Sequence, residues 1–292
     1  MIFEGFLPLA LQAIVDGVLV GFLYALITLG LQLIFGVLDI INLAHGDFLM
    51  LAMFLSYTFA LVLSIEISST FLLTLPILFL IGIGIYYSVI NPLVDRKPIM
   101  QFAATMGLSM LLPSIAQVIW GTEPKAPPSS LISGIIHLGE VTVLSTRLIA
   151  GLTGVIVLII FYLFMNKTYI GLAIRAVPDD KEAAALIGIN IKNVYSLTFA
   201  LGIALVAIPG AFLMTFQNVF PTIGARYNLL IWCVAILAGL GSFKGLIFSG
   251  IIIGIIESLI ASLWDPRAAP LGIYLTFLLV LWVRPTGLFG RR

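Results

Sequence analysis

Residues 17–38 read GVLVGFLYALITLGLQLIFGVL, a run with no Asp, Glu, Lys or Arg. A hydrocarbon core about 30 Å thick takes roughly 20 apolar residues of helix to cross, so this run alone amounts to one bilayer span. Five more stretches, 48–65, 67–94, 98–122, 148–166 and 193–225, are equally free of those four residues. The chain as a whole is 61% hydrophobic and 9% charged over 292 residues. Soluble domains carry about 25% charged residues, which excludes a globular cytosolic protein. A net charge of +1 gives no reason to expect nucleic acid or an acidic partner.

Working outward, the apolar runs and their charged interruptions place spans near 10–38, 42–63, 70–90, 99–119, 147–165, 193–215, 228–241, 245–263 and 270–283. The seventh is short and ends in Gly239-Leu240-Gly241-Ser242, so 228–263 reads either as two spans or as a re-entrant hairpin. Met1-Ile2-Phe3-Glu4 lacks the basic n-region of a signal peptide and no small-residue cleavage site follows, so the first run is expected to stay as a span. Backbone in lipid must satisfy its own hydrogen bonds, and the alternating segments of roughly 10 residues typical of a β-barrel are absent. The expected fold is all-α, a polytopic integral membrane helical bundle of about eight or nine transmembrane segments forming a single domain over 1–292.

Lys and Arg set the orientation. One set of alternate loops holds Arg96, Lys97, Lys167, Arg175, Lys181, Lys192, Lys244, Arg284, Arg291 and Arg292, and the other holds Lys125, Arg147, Arg226 and Arg267. Positive residues accumulate on the cytoplasmic side, which puts the N-terminus outside and the C-terminus inside. Gly17 and Gly21, Gly241 and Gly245, and Gly250 and Gly254 stand at the four-residue spacing that lets helices pack closely in lipid.

Chemistry-bearing residues are few. Cys233 stands alone in an apolar run and reads as a small buried hydrophobe. His45 and His137 are far apart in sequence, and no metal-ligand spacing occurs. There is no catalytic grouping and no phosphate-binding loop, so no cofactor is expected, and any ATP must bind a separate chain. Glu257 lies inside the eighth apolar segment and Asp16 near the outer end of the first, where internal hydrogen bonding at a helix or subunit interface is the expected role and substrate contact the alternative. The outer stretch 121–146 reads either as a solvated loop or as a surface facing an external partner.

Two polar segments stand out. The first, Asp39-Ile40-Ile41-Asn42-Leu43-Ala44-His45-Gly46-Asp47, lies between two apolar runs with almost no loop. Ionisable groups at membrane depth are costly and mark a pathway or an internal pair. Gly46 is the expected point of a helix break, and a plain solvated turn is the alternative. The second is the loop 166–192. Pro178, the acids Asp179 and Asp180, the body Glu182-Ala183-Ala184-Ala185-Leu186 and Gly188 read as start, first turn, body and stop of a short helix over 179–188. A helix of about ten residues is marginal alone in water and needs a surface to dock on, with a helical linker resting on its own bundle as the alternative. A late Gly-broken stretch, 239–245, invites comparison with the first segment as half of an inverted repeat, or else is a tight turn between adjacent spans.

Both segments carry a family resemblance. Arg175-Ala176, then Asp179, Glu182-Ala183-Ala184 and Gly188 resemble the coupling loop of ABC-importer permeases, with Thr198 standing where that pattern has an Ile. Phe22-Leu23-Tyr24-Ala25-Leu26, Gly30-Leu31, Phe35-Gly36-Val37-Leu38 and Ile41-Asn42-Leu43-Ala44-His45-Gly46-Asp47-Phe48 resemble the start of the LivH-like permease of branched-chain amino acid ABC importers. Val283-Arg284-Pro285-Thr286-Gly287-Leu288-Phe289-Gly290 is similar to that family's close.

The resemblance implies a transport subunit that pairs with a second permease in a heterodimer. It also implies two cytoplasmic ATP-binding subunits and an external solute-binding protein, in the inner or plasma membrane of a prokaryote. Asn42, His45, Gly46 and Asp47 become the expected substrate pathway for an apolar amino acid. Arg175, Ala176, Asp179, Glu182, Ala183, Ala184 and Gly188 become the ATPase-coupling residues. Importers of urea, short amides or sugars share that architecture and stay open. A stand-alone ion-coupled transporter is the rival of a different class.

Overall fold

A computed structural model describes residues 2–128, 134–138, 141–284 and 286–289. Pro285, Gly290, Arg291 and Arg292, named above, lie outside the described residues. In chain order the elements are α1 (Ile2–Leu38), α2 (His45–Leu63), α3 (Phe71–Ile85), α4 (Pro98–Trp120), β1 (Ile135–Leu138), β2 (Val141–Leu144), α5 (Ser145–Lys167), α6 (Tyr169–Asp179), α7 (Lys181–Leu186), α8 (Ile191–Leu205), α9 (Ala207–Leu213), α10 (Ile223–Ala238), α11 (Phe243–Leu263) and α12 (Ala269–Val283). Among the described residues, eight helical stretches are long and apolar enough to span a bilayer. This is the polytopic helical membrane protein that composition dictates.

Where the elements depart from expectation, the cause is local. α10 begins at Ile223 and has 16 residues, about 24 Å of helix at 1.5 Å per residue and short of a full crossing. The expected span 193–215 is two helices, α8 and α9. Pro209 has no N–H to give the Leu205 carbonyl, and the turn at Val206 tightens, its N–H reaching Ile203 at 3.4 Å. The stretch 121–146 contributes two antiparallel strands, with Ile135 opposite Leu144 and Leu138 opposite Val141.

The contacts divide the chain into two compact units, and α1, α5 and α10 contribute residues to both. The first comprises 1–28, 129–155 and 229–292. In it, α1 and α11 touch backbone to backbone through the expected glycines. A Cβ on Gly21 would lie 2.6 Å from the Ile251 Cα, and one on Gly254 would lie 2.3 Å from the Gly17 carbonyl oxygen. Arg147 donates to Asp16 at 2.8 Å, and the Tyr24 hydroxyl donates to Glu257. Both isolated charges are thus held by internal partners, as expected of ionisable groups at membrane depth.

The Gly241–Gly245 pair does not pack two helices together. Gly241 has φ +83° and open space around it, while Gly245 abuts the Ala238 carbonyl. Ser242 caps α11 by accepting the Gly245 N–H at 3.1 Å. The stretch 239–245 is therefore a tight turn, with glycine supplying the left-handed backbone.

The second unit comprises 29–128 and 156–228 and contains both polar segments. The stretch Ile191–Leu213 runs through it with 89% of its apolar window buried. Close approach again rests on small residues: a Cβ on Gly202 would lie 2.7 Å from the Gly30 carbonyl oxygen, and one on Gly82 would lie 2.8 Å from the Ala200 Cα.

Candidate functional site

The expected pathway residues come together at the start of α2. The break in the backbone falls at 39–44, before Gly46. Asp39 adopts φ +55°, a left-handed conformation that Asp tolerates better than most side chains. Asn42 then closes a local turn, its Oδ1 accepting the Ala44 N–H at 3.1 Å. Gly46 instead serves close approach: a Cβ there would lie 2.4 Å from the Gly224 carbonyl oxygen and 2.7 Å from the Asn228 nitrogen of α10.

Asn228 is the residue the sequence reading missed. The first N–H groups of a helix have no partner inside it. Here the Gly46 N–H donates to Asn228 Oδ1 at 2.6 Å, while Asn228 Nδ2 donates to Asp47 Oδ2 at 3.0 Å. One amide from a distant helix thus does the work that a capping box does locally, and it holds the Asp47 carboxylate where the helix dipole favours it. Gly224, one turn before Asn228, makes room for that carboxylate, whose Oδ1 would lie 2.2 Å from a Cβ there. The available signal was an amide, two residues after Arg226, in a mostly apolar helix with a glycine four residues earlier, on the same face.

His45 is fully buried, and its Cε1 would lie 3.0 Å from a Cβ on Gly30. The imidazole therefore sits against the Gly30–Gly202 contact between α1 and α8. Asn42 and Thr198 are also fully buried, and Asn42 Nδ2 and Thr198 Oγ1 have no hydrogen-bond partner. Buried polar atoms in this condition call for a reason.

The coupling segment contains two helices where one was expected. Thr168 caps α6 by accepting the Gly171 N–H at 3.0 Å. Pro178 falls near the end of α6, which corrects its reading as a helix start. Asp180, in extended conformation, caps α7 by accepting the Ala183 N–H at 2.9 Å. The physical reason is that the Asp180 side chain caps a new helix more effectively than a proline can extend one. At the far end, Ile189 N–H reaches the Ala184 carbonyl at 3.0 Å and Gly188 N–H reaches Ala185 at 3.0 Å, with Gly188 at φ +90°. That pair of bonds is a Schellman motif, and Gly188 is the stop the sequence signalled.

Of the expected coupling residues, Arg175, Asp179, Glu182, Ala183 and Gly188 are exposed, Ala176 is half-buried and Ala184 is buried. The reading missed Leu186 and Ile187, which are 88% and 76% exposed on a segment outside every spanning helix. Two adjacent large apolar side chains presented there form a candidate contact surface. Lys181 bridges to Asp95 at 3.3 Å, which brings the 91–97 turn and α7 to the same end of this unit.

Comparison with known proteins identifies the family. The family described as branched-chain amino acid transport system / permease component matches residues 13–281. The chain is 28% identical to the high-affinity branched-chain amino acid transport system permease protein LivH of Escherichia coli (strain K12), over 96% of each chain. It is 27% identical to the corresponding permease protein BraD of Pseudomonas aeruginosa, again over 96% of each. A solved structure of PsaBC from Streptococcus pneumoniae in complex with Fab shares the fold, with a TM-score of 0.54 at 15% identity over 98% of this chain and 97% of that one. With eight candidate spans among the described residues and a family match over residues 13–281, this chain belongs to the permease family of the branched-chain amino acid transport system.

Proposed function

We propose that this chain is the membrane-spanning permease subunit of an ATP-driven importer, and that it passes branched-chain, apolar amino acids delivered by an external solute-binding protein. It works beside a second permease subunit and two ATP-binding cytoplasmic subunits, in the inner or plasma membrane of a prokaryote. Its N-terminus is outside and its C-terminus inside, it holds no cofactor, and ATP hydrolysis takes place on the other subunits. The single permease domain carries the coupling segment 166–192. The observation that carries this reading is α7, a capped helix of six residues with Leu186 and Ile187 presented outside the spans. So short a helix gains nothing by exposing them unless a partner covers them.

The second unit supplies a mechanical route. Closure of the ATPase pair on nucleotide displaces α7. The α6 and α7 helices pack on α8, and α8 bears through Gly202 on Gly30, beside His45. A shift of α8 therefore reaches the start of α2; Asn42, just before α2, and Thr198, on α8, leave polar atoms without hydrogen-bond partners for a passing ammonium or carboxylate. Coupling requires that the solute interact differently with the two arrangements of these helices.

The test is uptake into vesicles holding both permease subunits, the ATPases and the binding protein. Labelled leucine accumulates only with ATP, and isoleucine and valine compete. Accumulation without ATP contradicts the ATP-driven reading. Competition by urea or a sugar but not by amino acids contradicts the substrate assignment.

A further inference from the structure

A cavity of about 310 Å³ opens beside the coupling segment, bounded by the end of the third span on one side and by α7 and the start of α8 on the other. That volume is at the lower end of the range for small-molecule sites. Its walls carry opposite charges and apolar surface together: Asp95, Lys181 and Lys192 beside Val94 and Ile191. Lys181 is committed on two sides, bridging to Asp95 at 3.3 Å and lying 5.6 Å from the centre of the Tyr195 ring. Lys192 is exposed and remains as the excess cation.

Two further observations point to a ligand. Tyr86 lines the cavity with a fully buried side chain, and its hydroxyl has no hydrogen-bond partner. A buried phenol is ordinarily bonded. The wall that carries it, residues Tyr86–Ile90, is a π-helical turn, a rare conformation that concentrates at functional sites. The next turn is braced by Gln101, whose Nε2 donates to the Leu93 and Val94 carbonyls, both at 3.0 Å.

We propose that this cavity is a second, regulatory site for the zwitterion of the imported amino acid, filled from the side that carries the ATPases. The inference rests on the substrate class proposed above. A free phosphate or a lipid phosphate would meet the Asp95 carboxylate on the same wall, whereas an α-amino acid brings both charges. Its carboxylate pairs with Lys192, its ammonium with Asp95 and the Tyr86 oxygen, and its side chain lies on Val94 and Ile191. Because Ile191 and Lys192 begin α8, on which α7 packs, occupancy ties the α7–α8 corner to the 91–97 turn. Accumulated product then holds the coupling helix still and slows import, a coupling between two sites through one movable element.

The assembled importer in vesicles with ATP inside, assayed for initial uptake of labelled leucine, tests this. Preloading the lumen with millimolar unlabelled leucine is expected to slow the wild type several-fold. Tyr86→Phe and Lys192→Gln are expected to match wild type in empty vesicles and to need about tenfold more luminal leucine for the same inhibition, the usual worth of a hydrogen bond to a charged group. Tyr86→Phe removes only an oxygen with no partner, so folding is preserved. Leucine uptake that luminal leucine leaves unchanged, or inhibition equal in all three proteins, overturns the inference. A rate that follows the vesicles' anionic lipid content, with both variants abolishing that dependence, assigns the cavity to a lipid phosphate and also overturns it. Absence of ATP-dependent leucine uptake by the wild type into empty vesicles is a separate result, which removes the substrate class and the inference with it.

Discussion

The starts of α2 and α7 pose the same problem and solve it in opposite ways. Each begins a helix with an acid in its first turn and small residues around it. At α2 the donors are capped from 182 residues away by Asn228, and His45 and Asp47 are 0% and 2% exposed. At α7 the cap is Asp180, three residues from the N–H it accepts, and the helix stands in the open. A polar segment tied to a distant helix reports its movement. A segment folded on its own residues keeps its shape while something outside pushes it. In the function proposed above, that difference fits the first to sensing the helix arrangement and the second to receiving force.

The largest expected effect breaks the α2 side. Gly46→Val places a methyl-bearing carbon 2.4 Å from the Gly224 carbonyl oxygen, a clash with backbone that cannot swing away. The cost exceeds the roughly 1–3 kcal/mol usual for overpacking, and size-exclusion of the detergent-solubilised protein should show loss of the monodisperse peak. Gly36→Val, at a position with nothing within 4 Å, should leave that peak in place.

A smaller loss sharpens the role of Asn228. Asn228→Leu strands the Gly46 N–H and the Asp47 Oδ2, which costs about 1–3 kcal/mol for buried polar groups left unmade. The melting temperature in detergent should fall by several degrees. A double-mutant cycle with Asp47→Leu should return a coupling energy of about 0.5–3 kcal/mol, and strict additivity would remove the proposed clamp.

On the α7 side the effects are smaller for stability and confined to one place. Asp180→Ala removes the cap, worth about 1 kcal/mol, and Gly188→Ala puts a Cβ at φ +90° for a cost of about 1 kcal/mol. Both should speed amide exchange across 181–189 and leave the global melting temperature unchanged. A fall in melting temperature equal to that of Asn228→Leu would erase the distinction between the two regions.

How much of this was legible follows from where each signal resides. The spans were legible because apolar length is a property of consecutive residues, as 17–38 shows. Gly188 was legible because a Schellman stop is local, and so was the packing role of Gly17, Gly21, Gly250 and Gly254. Pro178 misled because Asp180, two residues later, is the better cap, and α9 was hidden because the break follows from Pro209 acting on the Leu205 carbonyl. Asn228 was legible only as an amide in a mostly apolar helix: its partners are Gly46 and Asp47, and only the folded chain brings them within 3.0 Å. The exposure of Leu186 and Ile187 was equally a property of the tertiary structure, since in sequence they look like any helical apolar pair.

The central claim is that α7 receives the work of a separate ATPase. Its most direct test is the yield of ATPase subunits recovered with the affinity-tagged permease, comparing wild type with Leu186→Asp/Ile187→Asp. The account predicts that the wild type retains both ATPases and that the variant, equally abundant in the membrane and equally stable, loses most of them. Full retention by the variant, or a wild type purified from native membranes with no ATPase attached, would contradict it.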